Sequence, residues 1–317
     1  MRYSSGEVYS VTAPYHSASS ALPSRPRPAL FRALGKCDPP AQVQVGGADY
    51  RRITIFKHDS WAATALYEND SGQQVVCKFN RRQPILGIPM LWLGRLLARR
   101  EAGMYARLAP VSQVPDGCGD VYVDGVRSTN AATHRFVAGT PLCNNTVVGD
   151  AFFDELESLV SRLHERRIAY VDLHKVENVI VGQDGRPYLI DFQISVHLPQ
   201  TCLLNWLLGL LQRSDSYHVA KMKLRLRPDL CDYDHQTIAN NRPWWIRLHR
   251  LVAVPFRSTR RRLLVLLGIR RASGLACTEY APEDGMRAAA KPMVESMPPR
   301  LSPKPTAFPA AAYQRAA

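Results

Sequence analysis

Apolar residues gather in short runs at Ile53 to Phe56, Ala63 to Tyr67 and Val75 to Phe79, and the turn residues ENDSG separate the last two runs. This spacing predicts short strands in a β-meander. The period then changes. In LGIPMLWLGRLLARREAGMYARL, apolar residues return at three and four positions as far as Leu108, which predicts one long helix beginning near Leu86. VYVDG and THRFVAG read as further strands. Residues 151 to 166, AFFDELESLVSRLHER, read as an amphipathic helix, followed by the short strands NVIV and PYLI around the turn GQDGR. The order is strands, helix, strands, helix, hairpin, helices. It predicts an α+β fold with a small antiparallel β lobe at 46–137 and a mainly helical lobe at 138–272.

The ends differ from this middle. Residues 1–45 are rich in Ser, Ala and Pro without periodicity, as are residues 273–317, and both read as disordered. The opening residues contain no apolar run that would serve as a signal peptide, and no stretch approaches the roughly 18 apolar residues of a spanning helix. The seven cysteines are scattered and never spaced as CxxC, so neither a disulfide framework nor a zinc site is suggested. The expectation is a cytoplasmic protein, or one peripheral to the cytoplasmic face of a membrane. A formal charge of +14 favours a polyanionic partner: nucleotide phosphate, anionic lipid or nucleic acid.

The candidate chemistry lies in YVDLHKVENVIVGQDGRPYLIDF, from Tyr170 to Phe192. Transfer of a γ-phosphoryl group needs magnesium to hold the phosphates and a carboxylate to orient the acceptor hydroxyl. Asp172 follows a helix at the start of a loop. Asn178 opens the strand NVIV and Asp191 follows the strand YLI, so a hairpin would bring these two together as a hard, oxygen-only magnesium site with Asp172 as the base. Taken singly, each of the three is more simply a turn or cap residue. Upstream, Lys78 interrupts the apolar strand Val75 to Phe79, and Glu101 lies on the long helix. The plain alternative is a solvated edge-strand lysine and a surface glutamate.

These residues together resemble the protein-kinase-like superfamily, whose loop reads (His/Tyr)-x-Asp-Leu-x-x-x-Asn, followed by Asp-Phe-Gly. Here the counterparts are Tyr170-Val171-Asp172-Leu173, Asn178 and Asp191-Phe192, with Leu163-His164 at the end of the preceding helix. The resemblance implies a two-lobed kinase-like fold that uses ATP and Mg2+. It implies Lys78 and Glu101 on the phosphates, Asn178 and Asp191 on the metal, Asp172 as base, Lys175 on the transferred phosphate and THRFVAGTPL as the hinge. His174 reads as structural.

The pattern also departs from the family. No Gly-rich phosphate loop is recognisable; Ser60, Ala62 and Ala63 in FKHDSWAATALYE are the small residues whose N–H groups would approach phosphates instead. Asp172 to Asn178 spans six positions, one more than usual, so either the loop bulges or the ligand is placed differently. Val171 stands where regulated kinases carry an arginine, and Gln193 replaces the glycine after Asp-Phe. Asp215 resembles the aspartate that begins a buried helix in the larger lobe, and the short interval before it leaves little platform for a peptide. The chain therefore looks closest to Kdo/heptose lipopolysaccharide kinases and to RIO-type kinases. A hydroxyl acceptor follows, either a glycolipid sugar or a protein Ser/Thr. A pseudokinase scaffold is the reading from another class.

From 221 to 271 the chain is strongly basic, and Trp244, Trp245, Leu248, Leu251 and Val252 would share one helical face. Such a helix suits an anionic membrane surface; packing of these side chains onto the large lobe is the alternative. No RNA-binding motif is present, so a nucleic-acid partner is not expected.

Overall fold

The computed structural model describes residues 27–241 and 243–268. Of the ends expected to be disordered, 1–26 and all of 273–317 lie outside these residues. The chain forms β1 (Gln42–Val45), β2 (Ala48–His58), β3 (Ala62–Glu68), β4 (Gln74–Asn80), helix α1 (Leu91–Leu108), β5 (Val121–Val123), β6 (Val126–Arg127) and β7 (Ala131–Arg135). These strands make one antiparallel sheet in the order β6-β5-β1-β2-β3-β4-β7. Gly117, ahead of β5, bridges His134 of β7, and the Arg135 N–H donates to the Asp116 carbonyl at 2.8 Å. The sheet thus curls around Val43, Tyr50, Tyr67, Cys77 and Phe79.

The folded region begins earlier than 46. Val43 and Val45 alternate with exposed Gln42 and Gln44, β1 pairs with β2 through Val43 and Tyr50, and Ala33 and Leu34 are buried. β2 is also longer than the run from Ile53 to Phe56. Register shifts at Arg52/Thr54 and Ile55/Lys57 are the reason, because such bulges break the alternation that marks a strand in sequence. α1 starts at Leu91, not near Leu86. Leu86 and Gly87 take left-handed conformations, φ 49° and 82°, and Pro89 follows before the helix begins.

Residues 136–138 lead into β8 (Gly139–Pro141), α2 (Phe152–Glu165), β9 (Ile168–Ala169), β10 (Val179–Gly182), β11 (Pro187–Leu189), β12 (Val196–His197), α3 (Cys202–Leu226), α4 (His235–Asn240) and α5 (Trp244–Leu266). Gly139 has no substitute here, since a Cβ would lie 2.2 Å from the Val181 carbonyl oxygen of the neighbouring strand. α2 buries Phe152, Leu156, Leu159 and Leu163 on one face. Asp154 and Glu155 in its first turn and His164 in its last suit the helix dipole. Its core is continuous with Tyr105 and Leu108 of α1, with Tyr170, Leu173 and Phe192, and with Val219 and Met222 of α3. The observed architecture is the expected one, α+β with a small antiparallel β lobe and a mainly helical lobe.

Ile246 anchors the start of α5 against Tyr217, Ala220 and Ile238, whereas Leu251, Phe256 and Leu266 on the same helix are exposed. The side chains of Trp244, Leu248 and Val252 lie outside the described residues. Among those residues no helix is long and apolar enough to cross a membrane.

One buried cation organises the tip of the β lobe. Arg81 is 2% exposed, and its guanidinium donates to the carbonyls of Ser60 at 2.6 Å, Leu30 at 2.9 Å, Gln83 at 2.8 Å and Pro84 at 3.2 Å. Five N–H donors in a planar fork let a single side chain satisfy that many acceptors. Replacing Arg81 with Met strands those carbonyls. The expected cost is roughly 3 kcal/mol, read as a fall of about 10 °C in Tm; an unchanged melting curve would refute the role.

Candidate active site

The site forms where β4, α1, the loop after β9 and the end of β11 meet. Lys78 lies within β4, opposite Thr64 of β3 and Ala132 of β7, so its strand is interior to the sheet and not an edge. Glu101 is buried on the inward face of α1. The Lys78 Nζ is 3.2 Å from Glu101 Oε2 and 2.6 Å from Asp191 Oδ1. Burial alone would lower the Lys78 pKa, but Asp191 and Glu101 together outweigh it and hold the ammonium above its ordinary value. Glu101 is pushed up by burial, against the pull of Lys78. For Asp191 burial is overcome by Lys78, with help from Lys175 and Lys57, and its carboxyl sits below the usual range.

Asp191 takes a left-handed φ of 62° and its N–H donates to the Tyr105 hydroxyl at 3.3 Å. Phe192, fully buried, meets the rings of Tyr105 and Tyr170 edge-on at 5.5 and 5.1 Å. Gln193 donates to Asn80 Oδ1 at 2.6 Å and ties this segment to the end of β4. Arg100 of α1 adds a bond to the Ser195 carbonyl at 3.1 Å.

The loop from Tyr170 to Asn178 is held from below by Asp215. Its carboxylate accepts the Tyr170 N–H at 2.7 Å and the Val171 N–H at 2.8 Å, and lies 3.2 Å from His164 Nε2. Val171 has φ 71°, a strained conformation for a β-branched residue, and the Asp215 bond fixes it. Asp215 is fully buried in the middle of α3, not at its start. The helix extends N-terminally from there because Cys202 to Leu211 continue it along the surface.

The six-position interval is absorbed by tight turns: the Lys175 N–H donates to Asp172 O, and the Asn178 N–H to Lys175 O. Asn178 Nδ2 then lies 3.3 Å from Asp172 Oδ2, which also accepts from Lys175 Nζ at 2.8 Å. Asp172 Oδ1 is buried and accepts no hydrogen bond; the His174 ring nitrogen stands 3.2 Å away. The Ile190 N–H donates to the Asn178 carbonyl, so Asn178 and Asp191 flank the same rung of the β10–β11 hairpin. Two oxygen-bearing side chains there suit a hard cation whose other ligands are water and phosphate. No cluster of three or more His, Cys, Asp or Glu is arranged for a metal among the described residues.

The expected phosphate loop is different. Asp59 Oδ1 already accepts the N–H groups of Trp61 at 2.7 Å and Ala62 at 2.9 Å, the Ser60 hydroxyl donates to the Phe31 carbonyl, and Ala63 is buried in β3. Ser60, Ala62 and Ala63 therefore do not form a cradle of free donors, because a carboxylate of the same chain fills it. Lys57, paired with Asp59 at 2.9 Å, acts on Asp191 across the cleft and was not singled out from sequence. Nor was Tyr105, although it lies one helical turn beyond Glu101. Phe56 and Phe136 stack at 6.3 Å beside the linker between lobes. A cavity of about 600 Å3 is lined by Arg135, Phe136, Val137 and Ala138 of the expected hinge, with Gln183 and Tyr188; Lys78, Glu101, Asp172, Asn178 and Asp191 do not line it.

Two measurements probe this arrangement. Asp215→Asn puts an N–H donor against the loop amides; it should destabilise the protein by roughly 2 kcal/mol and speed hydrogen exchange at Val171, and unchanged exchange would discount the tether. Burial pushes His58, His134 and His218 down to about 4. Between pH 6.5 and 4 the unfolded chain binds these protons and the folded one does not, so stability falls as pH falls through that window. Glu101, with its raised pKa, works in the opposite direction. Melting curves should show the loss outweighing that gain, and His134→Gln should flatten it.

A small antiparallel β lobe precedes a mainly helical lobe, and Lys78 and Glu101 of the first meet Asp191 of the second. No protein-family model matches the sequence, and no curated protein matches it. Among solved structures, the chain is similar to the Rio2 kinase from Chaetomium thermophilum, with a TM-score of 0.41 and 15% identity over 52% of this chain and 54% of that one. It is also similar to the Rio2 kinase-ADP/Mg2+-phosphoaspartate complex from the same organism, at TM-score 0.40 and 15% identity over 52% of each chain. The similarity spans about half the length of each of those proteins and is a likeness of chain course.

Proposed function

We propose that this protein is an ATP-dependent phosphotransferase of the atypical-kinase type, acting on a hydroxyl acceptor. The observation that carries the reading is the buried Lys78 ammonium shared between Glu101 and Asp191, with Lys175 both bonded to Asp172 and acting on Asp191. Asp191, held ionised beside Lys78, supplies an anionic oxygen for a divalent cation accompanying a polyphosphate. Asn178 and Asp191 would hold Mg2+, which would supply neutralisation of phosphate charge. Lys78 would orient the phosphates, and Glu101 keeps Lys78 in position. The Phe56–Phe136 stack offers flat apolar surface for the nucleobase.

At the acceptor, Asp172 Oδ1 accepts no hydrogen bond from the protein, although the His174 ring nitrogen stands 3.2 Å away, and is the oxygen toward which a hydroxyl donates; the proton passes to it as the hydroxyl oxygen bonds to the γ-phosphorus and the bond from that phosphorus to the ADP oxygen breaks. Lys175, bonded to Asp172 and close enough to depress the Asp191 pKa, lies where the transferred phosphoryl group gathers charge. We favour a glycolipid sugar over a protein Ser/Thr as acceptor, since the short interval between Asp191 and Asp215 leaves little surface to seat a peptide. A second reading, a nucleotide-binding scaffold without transfer, is favoured by one feature: Asp59 occupies the N–H groups expected to hold phosphate.

With ATP and Mg2+ at about a hundred times Kd, the parent should gain about 2.7 kcal/mol, seen as a raised Tm, and Asp191→Asn should lose that gain. Labelled ATP with a panel of hydroxyl acceptors should then give transfer that Asp172→Ala lowers by about a hundredfold or more. A nucleotide-linked rise without transfer to any acceptor supports the scaffold; no rise at all refutes both.

A further inference from the structure

The loops tied together by Arg81 end in exposed apolar side chains. Leu30 and Trp61 lie on two of them, and the third, 82–90, carries Leu86 at 87% exposure and Ile88 at 61%. Leu86 and Gly87 are the two central residues of a tight turn closed by the Ile85–Ile88 bridge. Both have positive φ, so asparagine or aspartate followed by glycine is the favourable choice. A leucine at φ 49° is strained in its backbone and places a large apolar group in water. Turn stability does not account for it; a requirement for an apolar tip does.

α1 continues the feature. A Cβ on Gly94 would lie 2.4 Å from the Arg81 carbonyl oxygen, so this glycine lets the first turns of the helix close onto the Arg81 cluster. Those turns expose Trp92, at 61%, and Leu96. Along this stretch of chain the charge has one sign. Residues 81–100 contain Arg81, Arg82, Arg95, Arg99 and Arg100 and no Asp or Glu, and Arg82, Arg95 and Arg99 are exposed.

We infer that this tip of the β lobe docks on an anionic lipid surface, with Leu86, Ile88 and Trp92 entering the interface and Arg82, Arg95 and Arg99 facing the headgroups. Tryptophan and aliphatic side chains bordered by arginine match the layered polarity of a bilayer boundary. The exposed Arg82, Arg95 and Arg99 complement anionic headgroups. The rigid support beneath, one arginine holding three loops, keeps the apolar groups presented without a partner. Asp59 accepts the Trp61 N–H and pairs with Lys57, and Lys57 acts on Asp191, which links this tip to the candidate site and so a docked membrane to a glycolipid acceptor. That last consequence, access to a glycolipid acceptor, rests on the phosphotransferase reading; the docking itself does not.

The test is co-sedimentation of the full chain with phosphatidylcholine vesicles, with and without phosphatidylglycerol, at low and raised salt. The parent is expected to bind only the anionic vesicles and to be released by salt. The variant Leu86→Asn, Ile88→Thr, Trp92→Gln should bind about tenfold or more weakly while melting no lower than the parent, because asparagine suits the left-handed turn. Asp191→Asn should bind as the parent does, so failure of phosphotransfer leaves the inference standing. It is overturned if the parent ignores anionic vesicles at low salt, or if the triple variant binds undiminished while Phe256→Gln, Leu266→Gln in α5 does not. It is equally overturned if the triple variant only abolishes self-association in light scattering, which would assign the tip to a second copy of the chain.

Discussion

A single buried ammonium connects the parts of this molecule that matter for chemistry. Lys78 comes from the sheet, Glu101 from the helix packed on it and Asp191 from the hairpin of the other lobe. Neither Lys78 nor Glu101 is tolerable alone at that depth, since an unpaired charge out of water costs several kcal/mol. Pairing therefore constrains the position of α1 on the sheet and of the β lobe on the helical lobe together. The same constraint separates the carboxyl groups electrostatically: Asp191 stays ionised beside Lys78, while Glu101, enclosed on α1, is pushed toward its neutral form.

Around that charge cluster the chain has replaced adjustable features with fixed ones. The segment after Asp191 is bonded to the β lobe by Gln193 and Arg100 and to the loop beneath by the Ser195 hydroxyl on the Tyr170 carbonyl. Val171 holds a strained backbone because Asp215 accepts its N–H. The segment is therefore held in place from both lobes. The turn between β2 and β3 follows the same logic, with Asp59 supplying internally the negative charge that a Gly-rich loop takes from its ligand.

The legible parts of the site were those whose residue types conflict with their surroundings. A lysine in the run VVCKF and an Asp-Leu followed by Asn ahead of a hairpin have few structural explanations, and the structure brings Lys78, Glu101 and Asp191 into contact and Asp172, Lys175 and Asn178 into another group. Gln193 and Tyr105 escaped notice because a glutamine after Asp-Phe and a tyrosine on a helix are unremarkable until their partners, Asn80 and the Asp191 N–H, are known. Ser60, Ala62 and Ala63 misled because small residues imply available N–H groups only if nothing nearby has taken them.

What the sequence determined by itself was local: the meander from Ile53 onward, the amphipathic α2, the hairpin around GQDGR and the order of the two lobes, all set by apolar periodicity and turn residues. The early strand at Gln42–Val45, the bulged β2 and the late start of α1 escaped it, because they depend on pairing with distant strands and on two residues at positive φ. Tertiary structure alone decided which polar groups are spent internally. Arg81 on four carbonyls, Asp215 under the loop and Asp59 over its own turn are long-range or backbone contacts, and hydrogen bonds to main-chain atoms leave almost no signature in residue type.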